Sequence, residues 1–206
     1  MRYWLMKSEP ESFSIDDLQR VTVEPWSGVR SMFARMHMRA MSVGDAVLFY
    51  HSNATPPGVA GLAKVERVAV IDETQFDPKG QYFDAKATRQ KPIWDCVDVR
   101  FVEKLSYFIS LPQLRADQAL ADMVLLKPGR LSVQPVAEHE YHHIVELGHI
   151  EPQPLPPKPK SKPKSKPKPK STHTPTPTPT PTQPAPKAKA KPAAAKKLAK
   201  KPTKKR

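Results

Sequence analysis

Residues 139–143 read HEYHH and match H-E-x-x-H. Two histidines four apart on a helix share a face and can hold zinc, and a neighbouring glutamate can then move the proton of a zinc-activated water. The chemistry on offer is metal-assisted hydrolysis, with His139 and His143 as ligands. A catalytic zinc also needs a recess, a third protein ligand and partners that orient the ligands. Advancing 100° per residue from Ala137, Tyr141, Ile144 and Val145 fall at about 40°, 340° and 80°, while His139, His142 and His143 fall at about 200°, 140° and 240°. The histidines oppose the apolar stripe and are expected to face solvent. No metal site is expected here, and a zinc hydrolase stands as the alternative reading. Near pH 6 these histidines would add positive charge to the end of the folded region.

Other catalytic signatures are thin. There is no G-x-S-x-G, and "GVAG" is too short for a phosphate loop. Cys96, the only cysteine, sits within a strand pattern where a small buried thiol is ordinary, and it permits no disulfide within the chain. No catalytic residue and no cofactor is implied. Trp4, Trp26 and Trp94 each stand beside polar residues. Such tryptophans either cap the core with the indole N–H paired at the surface, or wall a pocket for a flat ring. Arg30, Arg35 and Arg39 recur along one segment, either as a solvated face or as phosphate contacts.

The elements that must carry these groups can be read from pattern. "RYWLMK" (2–7) is a short strand, and "SIDDLQR" (14–20) is a helix with a Ser cap and acids in its first turn. "PWSGV" (25–29) is a turn. "RSMFARMHMRAM" (30–41) has helical spacing, with Phe33, Met36 and Ala40 on one face and Arg35 and Arg39 on another. "AVLFYHS" (46–52) is a strand buried on both sides. "VAGLAKVERVAVI" (59–71) is a second strand, bent near Gly61, followed by a polar loop over 72–92. In 93–105, Val97, Val99 and Phe101 alternate with Trp94, Cys96, Asp98 and Arg100. A short helix near 111–121, a strand at 130–136 and a closing helix at 137–147, stopped by Gly148, complete the domain. Strands and short helices without a βαβ rhythm predict an α+β fold with a mostly antiparallel, barrel-like sheet and flanking helices.

Charge divides the chain. Residues 1–150 carry 17 Lys and Arg against 19 Asp and Glu, whereas residues 151–206 carry 17 against one. The second segment has no aromatic residue and 16 of the 25 prolines, so it cannot offset chain entropy by burial and reads as a disordered tail. Lys158, Lys160, Lys162, Lys164, Lys166, Lys168 and Lys170 occupy alternate positions, and Lys196 and Lys197 lie in an Ala/Lys-rich end. Such a chain binds polyanions in a salt-dependent way without reading sequence. The alternative built on it is a nucleoid-packaging protein acting through its tail. The N-terminus turns polar at Lys7, and no apolar run approaches the roughly 18–20 residues that span a bilayer. The protein is expected to be intracellular and off the membrane: cytoplasmic or at the nucleoid in a bacterium, nuclear in a eukaryote.

The order of segments carries a resemblance. "YWLMKSEPESFSIDDL" (3–18), "WSGVRSMFARMHMRAMSVGDAVLFYHSN" (26–53), "PGVAGLAKV" (57–65), "TQFDPKGQYFD" (74–84), "WDCVDVRFV" (94–102) and "ALADMVLLKPGRLSVQPV" (119–136) resemble the EVE domain family. The resemblance covers residues 2–147 and implies a PUA-like fold whose members bind modified bases of DNA or RNA in an aromatic-walled cleft, without a catalytic centre. Matched positions imply a ligand site at Lys7, Ser8, Trp26, Gly28, Val29, Arg30, His51, Ser52, Asn53, Trp94 and Gln134; Ser27 of the same turn is taken with them, and Arg35 and Arg39 are the candidates for the nucleic-acid backbone. Family members often read W-D-G-V-R-N-Y-Q-A-R-N where this chain has "WSGVRSMFARM". Ser27, Ser31, Met32, Phe33 and Met36 thus depart from the family, and the methionines suggest a softer pocket. H-E-x-x-H is not a family feature. The tail resembles those of linker-histone-like proteins. The expected partner is DNA or RNA carrying a modified base; the oligomeric state stays open.

Overall fold

The computed structural model describes residues 1–129 and 131–151. The expectations for the tail, including those for Lys158 to Lys197, lie outside the described residues.

Six strands form one mixed sheet: β1 (Tyr3–Ser8), β2 (Val23–Pro25), β3 (Ala46–His51), β4 (Gly58–Ile71), β5 (Asp95–Ser110) and β6 (Val133–Val136), in the spatial order β2-β5-β4-β3-β1-β6. All neighbours are antiparallel except β1 and β3, which run parallel. Among the described residues, four α-helices flank the sheet: α1 (Ile15–Val21), α2 (Met32–Arg39), α3 (Leu111–Ala116) and α4 (Glu138–His149). The architecture is α+β, as the sequence predicts.

Side-chain alternation puts a core on each face of the sheet. Trp4, Met6, Val47 and Phe49 turn to one face, where Ile15 and Leu18 of α1 and Ala34 and Met38 of α2 cover them. Tyr3, Leu5, Leu48 and Tyr50 turn to the other, under Leu114 of α3 and Ile144 of α4. This is why β3 is apolar at successive positions. Bulges in β4, one of them beside Gly61, bend the long β4–β5 pair. A Cβ on Gly61 would meet the Ile15 side chain at 2.5 Å, so the glycine lets α1 approach.

Ser14 caps α1 by accepting from Asp17 N–H at 3.1 Å, and the Asp17 carboxylate accepts from Ser14 N–H at 2.9 Å. Two expectations need correction. The buried side of α2 is Ala34 and Met38; Phe33 and Met36 are exposed. Gly148 does not stop α4 but lies inside it, where a Cβ would meet Leu105 at 2.6 Å. On the mixed side of β5 the Cys96 thiol is buried, as expected, and Asp98 is buried with it. The 72–92 loop is anchored internally. The buried Gln75 amide donates to the carbonyls of Asp72 and Trp94, and its oxygen accepts from the N–H groups of Ile93 and Trp94. One side chain thereby ties both stems of the loop with every hydrogen-bonding group satisfied.

Candidate nucleic-acid interface

Because β1 and β3 are parallel and adjacent, their last residues emerge at the same edge, with Ser8 opposite His51. Ser52 N–H donates to the Ser8 carbonyl at 2.8 Å, and Lys7 N–H donates to the Ser132 carbonyl at 2.8 Å. The end of β1 is thus held between the chain leaving β3 and the chain entering β6. Asn53 takes a left-handed conformation, φ 53°, which asparagine tolerates better than most side chains.

The second wall is the 26–31 loop. Trp26 N–H donates to the Val97 carbonyl at 2.8 Å, and its indole packs edge-on against Phe49 with ring centroids 5.4 Å apart. Gly28 has φ 78°, and a Cβ there would sit 2.7 Å from the Tyr82 ring. Only glycine satisfies both conditions at no cost. Gly28 N–H donates to Asp72 at 2.9 Å.

Arg30 locks this loop to the 72–82 segment. Its guanidinium donates to Asp72 at 2.7 Å, Thr74 at 3.0 Å, the Val29 carbonyl at 3.1 Å and twice to the Tyr82 carbonyl, at 2.9 and 2.5 Å. That uses all the donors an arginine has. Burial pushes the Asp72 carboxyl up, but hydrogen bonds from Thr74, Arg30 and Gly28 outweigh it and hold the carboxyl below its ordinary value.

These walls enclose a cleft of about 1140 Å³. Its lining includes Lys7, Ser8, Trp26, Ser27, Gly28, Val29, Arg30, Ser52 and Asn53, all expected from the sequence. The volume exceeds the roughly 300–1,000 Å³ of ordinary small-molecule pockets. Tyr82, 39% exposed, supplies aromatic surface, Trp26 borders the cleft from the core at 7% exposure, and serine hydroxyls, the Asn53 amide and the Gln81 amide supply donors and acceptors. Lys7 extends over the Tyr50 ring at 5.7 Å, and burial lowers its pKa.

Sequence reasoning missed Phe13, Gln81, Tyr82 and Leu131, which also line the cleft, as does Ser132 of the family-like run 132–135. Tyr82 lies in a loop whose polar composition hid it. The run "QYFD" (81–84), two aromatics in a polar segment, is the available signal.

Other expected site residues lie elsewhere. Trp94 is outside the cleft lining: its indole N–H donates to Asp84 at 2.8 Å, and the guanidinium groups of Arg30 and Arg35 lie over its ring, at 5.2 and 5.5 Å. His51 turns back into the fold, where its Nε2 accepts from Ile15 N–H at 3.1 Å. Gln134 is buried in β6 opposite Leu5 of β1. Arg35 is not free for phosphate, since it is tucked against Asp95. Arg39 also pairs with Asp95, at 2.7 Å, although it is more exposed. Both line a separate, smaller groove of about 320 Å³ with Trp94. Of the departures in "WSGVRSMFARM", only Ser27 and Ser31 reach the cleft; Met32, Phe33 and Met36 project outward and do not soften the pocket.

The H-E-x-x-H residues diverge. His139 is exposed, His143 meets Asp117 at 2.7 Å, and Glu140 is buried and accepts from Ala137 N–H at 2.9 Å. His143 is therefore less solvated than the helical projection implies. Among the described residues no three His, Cys, Asp or Glu side chains are grouped to hold a metal ion. No helix among them is long and apolar enough to cross a membrane.

The EVE domain model matches residues 2–147. The chain belongs to the EVE domain family. Among its EVE relatives, thymocyte nuclear protein 1 of Homo sapiens is 40% identical over 169 residues, covering 73% of this chain and 75% of that protein. A solved hypothetical protein from Leishmania major is 51% identical with a TM-score of 0.70, covering 72% of this chain and 94% of the other. Human THYN1, solved in complex with 5-methylcytosine containing DNA, is 38% identical with a TM-score of 0.70, covering 74% of this chain and 100% of the other. The mixed six-stranded sheet with short helices is the PUA-like EVE fold.

Proposed function

We propose that this EVE protein is a nucleic-acid-binding module that reads a modified base, turned out of the helix and received in the cleft between Trp26 and Tyr82. The observation that carries the proposal is the cleft itself, aromatic side chains beside polar groups for a base edge, in a chain related to a protein solved with methylated DNA. Extruding a base costs a few kcal/mol, and stacking returns about 1–3 kcal/mol per base. Ser27, Ser31, Ser52 and Asn53, with backbone N–H groups nearby, would read the edge. Arg30 acts as a positioning residue, because its donors are occupied. The basic residues after 150 add salt-dependent, sequence-independent attraction. No chemical step is assigned to the cleft.

Titrating the full chain with matched oligonucleotides that carry 5-methylcytosine or cytosine tests this, at salt high enough to suppress the tail. Preferential binding of the methylated strand, lost in Trp26→Ala, is expected. Equal affinity for both strands, or a silent Trp26→Ala, refutes the reading.

A further inference from the structure

Helix α2 turns its more apolar side outward. At 100° per residue, Ala34 and Met38 mark the buried side. Met32, Met36, Ala40 and Phe33 project from the opposite arc. Met32, Phe33 and Met36 are 62%, 71% and 55% exposed, and none joins either core. Single exposed apolar residues are common, but three large ones on two helical turns form a patch that marks an interaction surface.

The position of the patch points to its occupant. Ser31 caps α2 and lines the cleft, and Met32 and Phe33 are the next two residues, so the patch continues directly from the cleft wall. Residues 30–41 contain three arginines and no acid. Arg35 and Arg39 share the single carboxylate of Asp95, which leaves one positive charge over along the side of the patch. An apolar tip beside surplus positive charge suits a polyanion with an apolar interior, which describes a nucleic-acid duplex.

We propose that Phe33, flanked by Met32 and Met36, is a wedge that enters the duplex beside the extruded base and fills the gap left in the stack. The proposal rests on the cleft reading above. A base leaving the stack removes its stacking contacts, and a phenyl ring in the gap restores part of them; Phe and Met are among the side chains that open base steps in this way. The methionines adapt to the neighbouring pairs.

The test compares the full chain on two probes, a duplex with one 5-methylcytosine and the single strand of the same sequence. Phe33→Ala is expected to weaken duplex binding about tenfold and to leave single-strand binding unchanged, because the single strand has no gap to fill. Phe33→Leu should keep most of the duplex affinity. Phe33 is exposed, so its replacement leaves the core intact. Three results overturn the wedge: duplex affinity within twofold of wild type, equal losses on both probes, or an altered sedimentation coefficient of the chain alone, which would assign the patch to self-association. In each of these the preference for methylated over plain single strand survives. Its absence in the wild-type protein overturns the cleft reading, and the wedge with it.

Discussion

The Arg30 guanidinium lies 2.7 Å from the Asp72 carboxylate, across 42 residues of sequence, and joins the two segments that carry Trp26 and Tyr82. Asp72 is 2% exposed, so removing its charge leaves a partly buried arginine without its counter-ion. Breaking such a pair costs about 3–5 kcal/mol. Asp72→Asn should therefore lower the urea midpoint at pH 7. The folded-state pKa lies below the unfolded value, so this stabilisation is present above about pH 4 and lost as pH falls through the folded value. The gap between wild type and variant should close on acidification; a pH-independent gap contradicts the assignment.

Gly28→Ala should disturb the cleft more than the fold. The φ of 78° costs a non-glycine residue roughly 1–2 kcal/mol. The new Cβ would press on the Tyr82 ring at 2.7 Å, so the ring must move. The expected outcome is a modest fall in Tm with a loss of about tenfold in affinity for methylated oligonucleotide. Unchanged affinity would show that Tyr82 does not stack on the ligand.

His51 should make the domain acid-sensitive. Burial lowers its pKa, and its Nε2 must stay unprotonated to accept from Ile15. Its folded value lies below the unfolded one near 6.5, so the unfolded chain takes the proton first. Its contribution is complete above about pH 6.5 and declines as pH falls toward the folded value. Wild type should lose stability relative to His51→Gln between pH 7 and pH 5, measured by urea unfolding. A relative gain for wild type would contradict the sign.

Gly148→Ala sets two effects against each other. Alanine favours a helix over glycine by about 1 kcal/mol. Here the Cβ would meet Cδ and Cγ atoms of the buried Leu105 at 2.6–3.0 Å. Overpacking costs about 1–3 kcal/mol, so a net loss of stability is expected. A stabilised variant would mean that α4 and β5 are less tightly apposed.

Much of the fold was legible because its signals are local. The Ser14 cap, the double-sided burial of β3, the bend near Gly61 and the apolar side of α4 follow from residue type and period. The 26–31 and 52–53 segments also emerged as cleft residues, through the turn at Gly28 and the family resemblance. Tyr82 did not, because its role depends on the tie made by Gln75 and on Arg30 reaching across the chain.

By itself, the sequence determined where acid and base are balanced, which segments alternate or spiral, and that residues 2–147 belong together. Tertiary structure decided which of two faces α2 buries. Period alone offers both the Phe33–Met36–Ala40 side and the Ala34–Met38 side, and packing against Met41 and the sheet selected the second. It also placed Trp94, Arg35, His51 and Gln134 outside the cleft lining, while Lys7, Ser8, Ser52 and Asn53 line it together. The physical reason is that periodicity fixes an angle about an element's own axis. The partner at that angle, whether Asp95, Ile15 or open solvent, is supplied by chain tens of residues away.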